Sequence, residues 1–143
     1  MDMTIRELVT DGDILAAYPL MKVLRERILR DTFLDEVRTQ QGAGYRLLAG
    51  YETSAPIVLA GIRRSHTLSR GDHLFVDDLV TDESARAAGH GRTMMQFVAR
   101  EAAAQGISRI YLDARITAKG FYEKLGFTFH TSVPCWIDVE RLA

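Results

Sequence analysis

The stretch from His73 to Leu112 constrains the fold more than any other part of the chain. Simple alternation over His73 to Val80 puts Leu74, Val76 and Val80 on one face and Phe75 and Leu79 on the other. A strand that is apolar on both faces belongs in the middle of a sheet. A glycine-bearing loop follows, and then Met94, Met95, Val98, Ala99 and Ala102 recur at helical spacing up to the stop signal Gly106. Ile110-Tyr111-Leu112 reads as a short strand. A strand, a crossover helix and a second strand imply neighbouring parallel strands, and hence a mixed α/β domain.

The remaining elements fit around that unit. Thr4 to Val9 alternates and reads as a strand, and Asp11-Gly12-Asp13 as a turn and helix start. A helical stretch carrying Ile14, Leu15, Tyr18, Met21, Leu24 and Ile28 should be bent or interrupted at Pro19. Asp31 is an expected N-cap for a second helix with Phe33, Leu34 and Val37, ending near Gly42. Tyr45 to Tyr51 and Ile57 to Arg63 read as strands around the turn Thr53-Ser54-Ala55-Pro56, and Ser69-Arg70-Gly71 as the next turn. Ala118 to Leu125 reads as a short helix closed by Gly126, with Phe127 packing back on it, and Cys135 to Val139 as a last strand. The order is βααβββαβαβ. No linker divides the 143 residues, so one domain covering 1–143 is expected.

Between Val80 and Met95 lies Arg86-Ala87-Ala88-Gly89-His90-Gly91, followed by Arg92 at the start of the best helix. The first turn of a helix has unpaired N–H groups and a partial positive charge. Glycines admit a ligand close to the backbone, small alanines keep the approach open, and Arg86 and Arg92 add charge at its edges. The combination suits an anion, most naturally a pyrophosphate. Two other phosphate loops fit poorly. No Lys-Ser/Thr pair follows the last glycine, and the third glycine of a dinucleotide fingerprint is replaced by Met94. Taken alone, the hexapeptide is equally compatible with a helix cap or a tight turn; its position between a doubly apolar strand and the best helix favours an anion site.

Composition excludes several functions. A formal net charge of -1 gives no basic field for a dedicated nucleic-acid binder. The lone Cys135 forms no internal disulfide and reads as a small apolar filler. The amino-terminal residues carry acids and no long apolar run, so a signal peptide is not expected, and no stretch has the ~20 apolar residues of a membrane span. A soluble cytoplasmic protein is the expectation. His66, His73, His90 and His130 have no metal-ligand spacing, so no metal is expected. Arg25, Glu26, Arg27 and Arg30 read as a solvated face.

These residues resemble the GNAT superfamily of N-acetyltransferases. Arg86-x-x-Gly89-x-Gly91 is similar to that family's coenzyme A loop, Val76 to Asp82 to the strand before it, and Phe121-Tyr122-Glu123-Lys124-Leu125-Gly126-Phe127 to its FYEKLGF segment. The likeness is specific over about residues 72–129. It implies a GNAT-like acyl-CoA N-acyltransferase fold, with a central, mostly antiparallel sheet, a V-shaped splay and flanking helices. It also implies acetyl-CoA as co-substrate. The backbone of Arg86, Ala87, Ala88, Gly89, His90, Gly91 and Arg92 would hold the pyrophosphate. Leu79 and Val80 would pair with the pantetheine arm, and the splay between that strand and Ile110 to Asp113 would admit the thioester. Tyr122 corresponds to the family's usual general acid. Arg115 stands where many members have an Asn that contacts the cofactor. By the same analogy the first helices line the acceptor pocket, and a homodimer through the C-terminal strands is a family expectation.

The implied chemistry is acyl transfer from acetyl-CoA to a primary amine, on a small molecule or a protein. An alkylamine with a pKa of ~10.4 must lose a proton, and a thiolate with a parent pKa of about 8.5 must gain one. A tyrosine can supply the second proton. Asp77 and Asp78 adjoin the expected cleft, on opposite faces unless a bulge changes the phase, and either is a candidate base. A carboxylate merely paired with an arginine is an equal reading of both, and water is a third possibility for the base. Pattern alone favours packing for Tyr122, and only the resemblance turns it toward the acid role. A non-catalytic acyl-CoA sensor or scaffold is the competing function.

Overall fold

Five strands form one sheet in the order β1-β2-β3-β4-β5 in the computed structural model, which describes residues 2–143 and, of Ala87, the backbone alone. Strands β1 (Thr4–Glu7), β2 (Tyr45–Tyr51), β3 (Pro56–Thr67) and β4 (Gly71–Thr81) pair antiparallel in succession. β5 (Ile110–Leu112) pairs parallel with β4, after the crossover helix α4 (His90–Ala104). The mixed, mostly antiparallel sheet is therefore the one expected. β3 and β4 run further than the pattern indicated, because their hairpin ladder continues into the exposed end, to Thr67↔Gly71. Backbone contacts divide the chain into two compact units, one ending at Leu112 and one starting at Asp113.

In the first unit, α1 (Asp11–Ala16), α2 (Tyr18–Leu24) and α3 (Arg30–Gly42) cover one face of the sheet. The Thr10 hydroxyl accepts the Asp13 N–H and starts α1. Pro19 sits in the first turn of α2, where its missing N–H breaks no helical bond, so the expected interruption falls between Ala16 and Tyr18. Leu29, not Asp31, is the N-cap of α3; Asp31 lies in the first turn, where its charge meets the positive helix end. Ile14, Met21, Phe33 and Val37 pack on Tyr45, Leu47, Ala49, Leu59 and Val80. Residues of the opposite parity, among them Leu48, Ala60, Ile62, Leu74 and Val76, are buried along with Met94, Met95, Val98 and Ala102 of α4, which packs on β3 and β4.

The two faces of β4 differ from simple alternation. Gly61 pairs with Asp78 and Ile62 with Val76, so Asp77 is an extra residue, a β-bulge. The bulge flips the phase of everything after it. Val80 joins the helix α1–α3 side, opposite Leu59, while Leu79 takes the parity of Leu74 and Val76.

In the second unit, α5 (Lys119–Leu125) ends in a hydrogen-bonded cap: Gly126 N–H donates to Glu123 O and Phe127 N–H to Tyr122 O, both at 3.0 Å. The side chains that such a cap brings together are Tyr122 and Phe127, whose rings stand edge to face 5.3 Å apart. The expected strand over Cys135 to Val139 is absent. These residues pair with no strand, and a 3-10 helix covers Val139–Arg141. Cys135 is exposed and not an apolar filler. No helix among the described residues is long and apolar enough to cross a membrane.

Candidate active site

The loop before α4 is ordered by its own residues. The Asp82 carboxylate accepts from the backbone N–H and the hydroxyl of Ser84, at 3.0 and 2.7 Å, and starts a 3-10 helix over Glu83–Ala88. Ser84 holds that carboxyl below its ordinary range through these bonds. Gly89, in the left-handed region at φ 79°, ends this helix and is the N-cap of α4. A side chain at that φ is strained, so the turn from one helix into the next needs a glycine. No side chain caps α4, and an atom added at the Gly89 Cβ position meets nothing within 4 Å. The amides of the first turn thus have no side-chain cap, and Arg86 and Arg92, on either side in the sequence, are exposed.

His90 is the residue in this loop that sequence reading undervalued. Its ring is buried, and Nε2 lies 3.3 Å from Glu52 Oε1 in the β2–β3 turn. The contact ties the loop to a hairpin 38 positions earlier, and no local pattern announces it. His73, by contrast, is buried beside Tyr111 with Nδ1 2.8 Å from Gly71 O, a structural arrangement in which the ring N–H donates. Among the described residues, no group of three or more His, Cys, Asp or Glu could hold a metal ion.

Leu79 and Val80 lie just past the bulge, and there β4 has its β3 partners, Ala60 and Leu59. The pairing with β5 covers only Leu74↔Ile110, Phe75↔Tyr111 and Val76↔Leu112. From Asp77 to Thr81 the other edge of β4 carries no partner strand. In an antiparallel pair alternate residues direct N–H and C=O away from the neighbour, so this edge can accept one more extended chain.

On the face covered by α2 and α3, the bulge opens into a pocket of about 350 Å³. Met21, Ile28, Phe33 and Val37 supply its apolar lining, and Asp77 and Asp78 stand together at one side. The alternative left open by alternation is decided: the bulge brings both carboxylates to this pocket. Each is paired with an arginine. Arg63 grips Asp77 with two bonds, Nε to Oδ2 at 2.7 Å and Nη2 to Oδ1 at 3.0 Å. Arg25 Nε donates to Asp78 Oδ1 at 2.8 Å and its Nη2 to the Asp77 carbonyl at 2.6 Å. The Tyr45 hydroxyl donates to Asp78 Oδ2 at 2.7 Å. Burial first, then the neighbouring Asp78 charge, pushes the Tyr45 phenol far above its ordinary range.

Tyr45 reaches Asp78 only because Gly61 has no side chain. A Cβ at Gly61 would stand 1.9 Å from the Tyr45 hydroxyl oxygen. A lone glycine inside an apolar strand is the signal that could have marked both the bulge and the close approach. Arg25, Tyr45 and Arg63 carried no such signal. The solvated face expected at Arg25 to Arg30 is also incomplete as a description: Arg25 binds the bulge, and Arg27 Nη2 bonds Glu36 Oε1 at 2.8 Å.

In the second unit, Tyr122 is buried and flanked edge to face by Phe121 and Phe127, at 5.0 and 5.3 Å. Burial raises its phenol above the ordinary value. Arg115 is exposed, and its carbonyl accepts the Ala118 N–H at 2.9 Å at the start of a 3-10 helix.

Comparison with known proteins gives the family and the fold. The model of the acetyltransferase (GNAT) family matches residues 15–127. An uncharacterised N-acetyltransferase of Bacillus subtilis (strain 168), YhdJ, is 28% identical over 131 residues, which are 88% of this chain and 92% of that protein. Among solved structures, an aminoglycoside N-acetyltransferase, AAC(6')-Iy, in complex with CoA aligns with a TM-score of 0.83 at 17% identity, covering 96% of this chain and 95% of its own. A Trypanosoma brucei acetyltransferase aligns with a TM-score of 0.77 at 22% identity, covering 96% and 100%. At these identities the structural likeness is one of fold.

Proposed function

The chain belongs to the GNAT family of acetyltransferases, which makes it an acetyl-CoA-dependent acyltransferase, and from that premise we propose that it moves the acetyl group directly to a primary amine held in the pocket beside the β4 bulge. The observation that carries this reading is the juxtaposition along one strand. Leu79 and Val80 offer an open edge, the uncapped first turn of α4 follows, and Asp77 and Asp78 face a small pocket just before them.

In this reading the amides from Arg86 to Arg92 bind the cofactor pyrophosphate and the β4 edge pairs with the pantetheine arm. The fit is that of an anion at a helix start and of an extended amide chain at a strand edge. Small residues and a glycine leave room for close approach, and Arg86 and Arg92 add positive charge. The amine nitrogen then attacks the thioester carbonyl carbon, the carbon–sulfur bond breaks, and the thiolate takes a proton. Tyr122 supplies that proton. Burial raises its pKa and so favours the protonated phenol, and the proton moves as charge develops on sulfur. The ammonium's first proton goes to Asp78 or Asp77, and the second, released from nitrogen as the amide forms, returns through solvent to the Tyr122 phenolate. Each carboxylate has both oxygens engaged, Asp77 by Arg63 and Asp78 by Arg25 and Tyr45, so a guanidinium must yield before either takes the proton.

The paired carboxylates and the packed Tyr122 also suit a module that binds an acyl-CoA without turning it over. An amine panel read by release of the CoA thiol separates the two, because a module binds acetyl-CoA and releases none. For the enzyme, Tyr122→Phe is expected to lower kcat by about a hundredfold, the low end for loss of a general acid, with the acetyl-CoA dissociation constant unchanged by calorimetry. An equal loss in kcat and in cofactor affinity would assign Tyr122 to packing alone.

A further inference from the structure

Three arginine–carboxylate pairs stand around the pocket, and they are not equivalent. Arg63 and Asp77 lie on adjacent strands of the sheet. Arg27 and Glu36 both belong to the α2–α3 layer, Arg27 lying just after α2 and Glu36 within α3. Arg25, at the C-terminal end of α2, pairs with Asp78 from 53 positions away and so spans from the helix layer to the strand. Of these three pairs it alone crosses the pocket.

The Arg25 head occupies what a protonated amine would seek. It takes a carboxylate oxygen of Asp78 and the carbonyl oxygen of Asp77, both as donor, at 2.8 and 2.6 Å. An ammonium has three N–H donors and can use the same two acceptors. Asp78 is the enclosed partner, its side chain 12% exposed against 42% for Arg25. A carboxylate so enclosed needs a cation beside it, whereas the guanidinium can swing into water at small cost. Exchanging Arg25 for an ammonium therefore preserves the charge at the bulge. Met21, Ile28, Phe33 and Val37 line the same pocket and favour an apolar arm, and about 350 Å³ is near the small end of ligand pockets.

We propose that Arg25 is a built-in competitor that fills the cation subsite of the acceptor, and that the acceptor is a small cationic amine on an apolar arm which must displace it. The proposal rests on the acetyltransferase reading above and adds a residue that sets how tightly the acceptor binds. Removing the competitor should tighten amine binding, whereas removing a substrate ligand would weaken it. A cation retained on a similar stem should compete as before.

The probe is 2-phenylethylamine, titrated as its hydrochloride into the cofactor-free protein by calorimetry, with 2-phenylethanol as the neutral control. Arg25→Met should bind the amine about tenfold more tightly than wild type, as expected when one close charge competitor is lost. Arg25→Lys should stay near the wild-type value, and the alcohol should bind all three proteins alike. Melting temperatures check that each variant is folded; damage to the pocket would weaken amine binding in both variants. Amine binding to Arg25→Met that is equal to or weaker than wild type would overturn the proposal, as would an equal gain for the alcohol, which would show only a larger cavity. Thiol release from acetyl-CoA with the same amine is followed in parallel. Its absence in all three proteins, with the amine affinities in the expected order, would overturn the transfer reading and leave the Arg25 assignment standing.

Discussion

The start of α4 and the bulge of β4 lie close together in sequence, yet they are built by opposite means. The loop is made of backbone: a left-handed Gly89, an uncapped first turn, and a 3-10 helix begun by Asp82 from two residues away. The bulge pocket is made of side chains that arrive from afar, Arg25 from 53 positions, Tyr45 from 33 and Arg63 from 14. A contiguous device can be rebuilt from a short stretch of sequence. A convergent one depends on register, and one extra residue in β4 changes which side chains meet. The two sites should therefore fail differently when each is broken.

Breaking the loop should remove cofactor binding and little else. Gly89→Val puts a β-branched side chain at φ 79° and into the open space above the amides. The strained backbone costs about 1–3 kcal/mol, less than the whole stability of a typical domain. The acetyl-CoA dissociation constant, measured by calorimetry, should rise by about a hundredfold or more, ~2.7 kcal/mol. Amine binding in the pocket should be unchanged, because Asp77 and Asp78 are held by residues outside the loop. Normal cofactor affinity in the variant would show that the pyrophosphate binds elsewhere.

Breaking the bulge pocket should do the reverse. A Cβ at Gly61 meets the Tyr45 hydroxyl oxygen at 1.9 Å and the ring carbons Cζ and Cε1 at 2.4 and 2.5 Å. The clash involves ring carbons as well as the hydroxyl, so the strand or the ring must shift. Gly61→Ala should cost about 1–3 kcal/mol in chemical denaturation, the usual range for overpacking. It should weaken amine binding by displacing the hydroxyl from Asp78, while acetyl-CoA affinity stays within about twofold, well under 1 kcal/mol. A fall in cofactor affinity as large as the fall in amine affinity would mean that the two sites are one mechanical unit.

The same contrast explains what could be read from the residues alone. The strand–loop–helix order, Pro19 as a break, the Gly126 turn with Phe127 packed on Tyr122, and the glycine turn before α4 all depend on neighbours a few positions apart, and all are present. Asp77 and Asp78 were legible as candidates because they are charges in an apolar strand, but their common face was not, since period-two alternation cannot show a bulge. Arg25 and Tyr45 were not legible as site residues, because nothing local links a helix end or the first residue of a strand to a carboxylate on β4. The strand expected at Cys135 to Val139 failed for the same reason from the other side. Its residues have β propensity, but a strand also needs a partner, and none of the five strands pairs with them.

Tyr45→Phe is the mildest break and the most discriminating. It keeps the ring that packs over Gly61 and removes only the hydroxyl that donates to Asp78 at 2.7 Å. Asp78 keeps Arg25, so near pH 7 the loss should be about 1 kcal/mol, that of one hydrogen bond to a charged group in part offset by its remaining partner. The alkaline arm has the opposite sign. Burial and the Asp78 charge raise the folded-state pKa of Tyr45 above the unfolded value of ~10, so its contribution to stability is full below that pH and is lost as pH rises above it. The variant has no such phenol to ionise, and its stability should fall less steeply from about pH 10 upward. Urea denaturation at neutral and alkaline pH reads both effects. A variant less stable than wild type at neutral pH but converging with it, or crossing it, in alkali would assign the slope to Tyr45. Parallel curves would move the alkaline slope to other groups and reduce the Tyr45–Asp78 bond to a packing detail of the pocket.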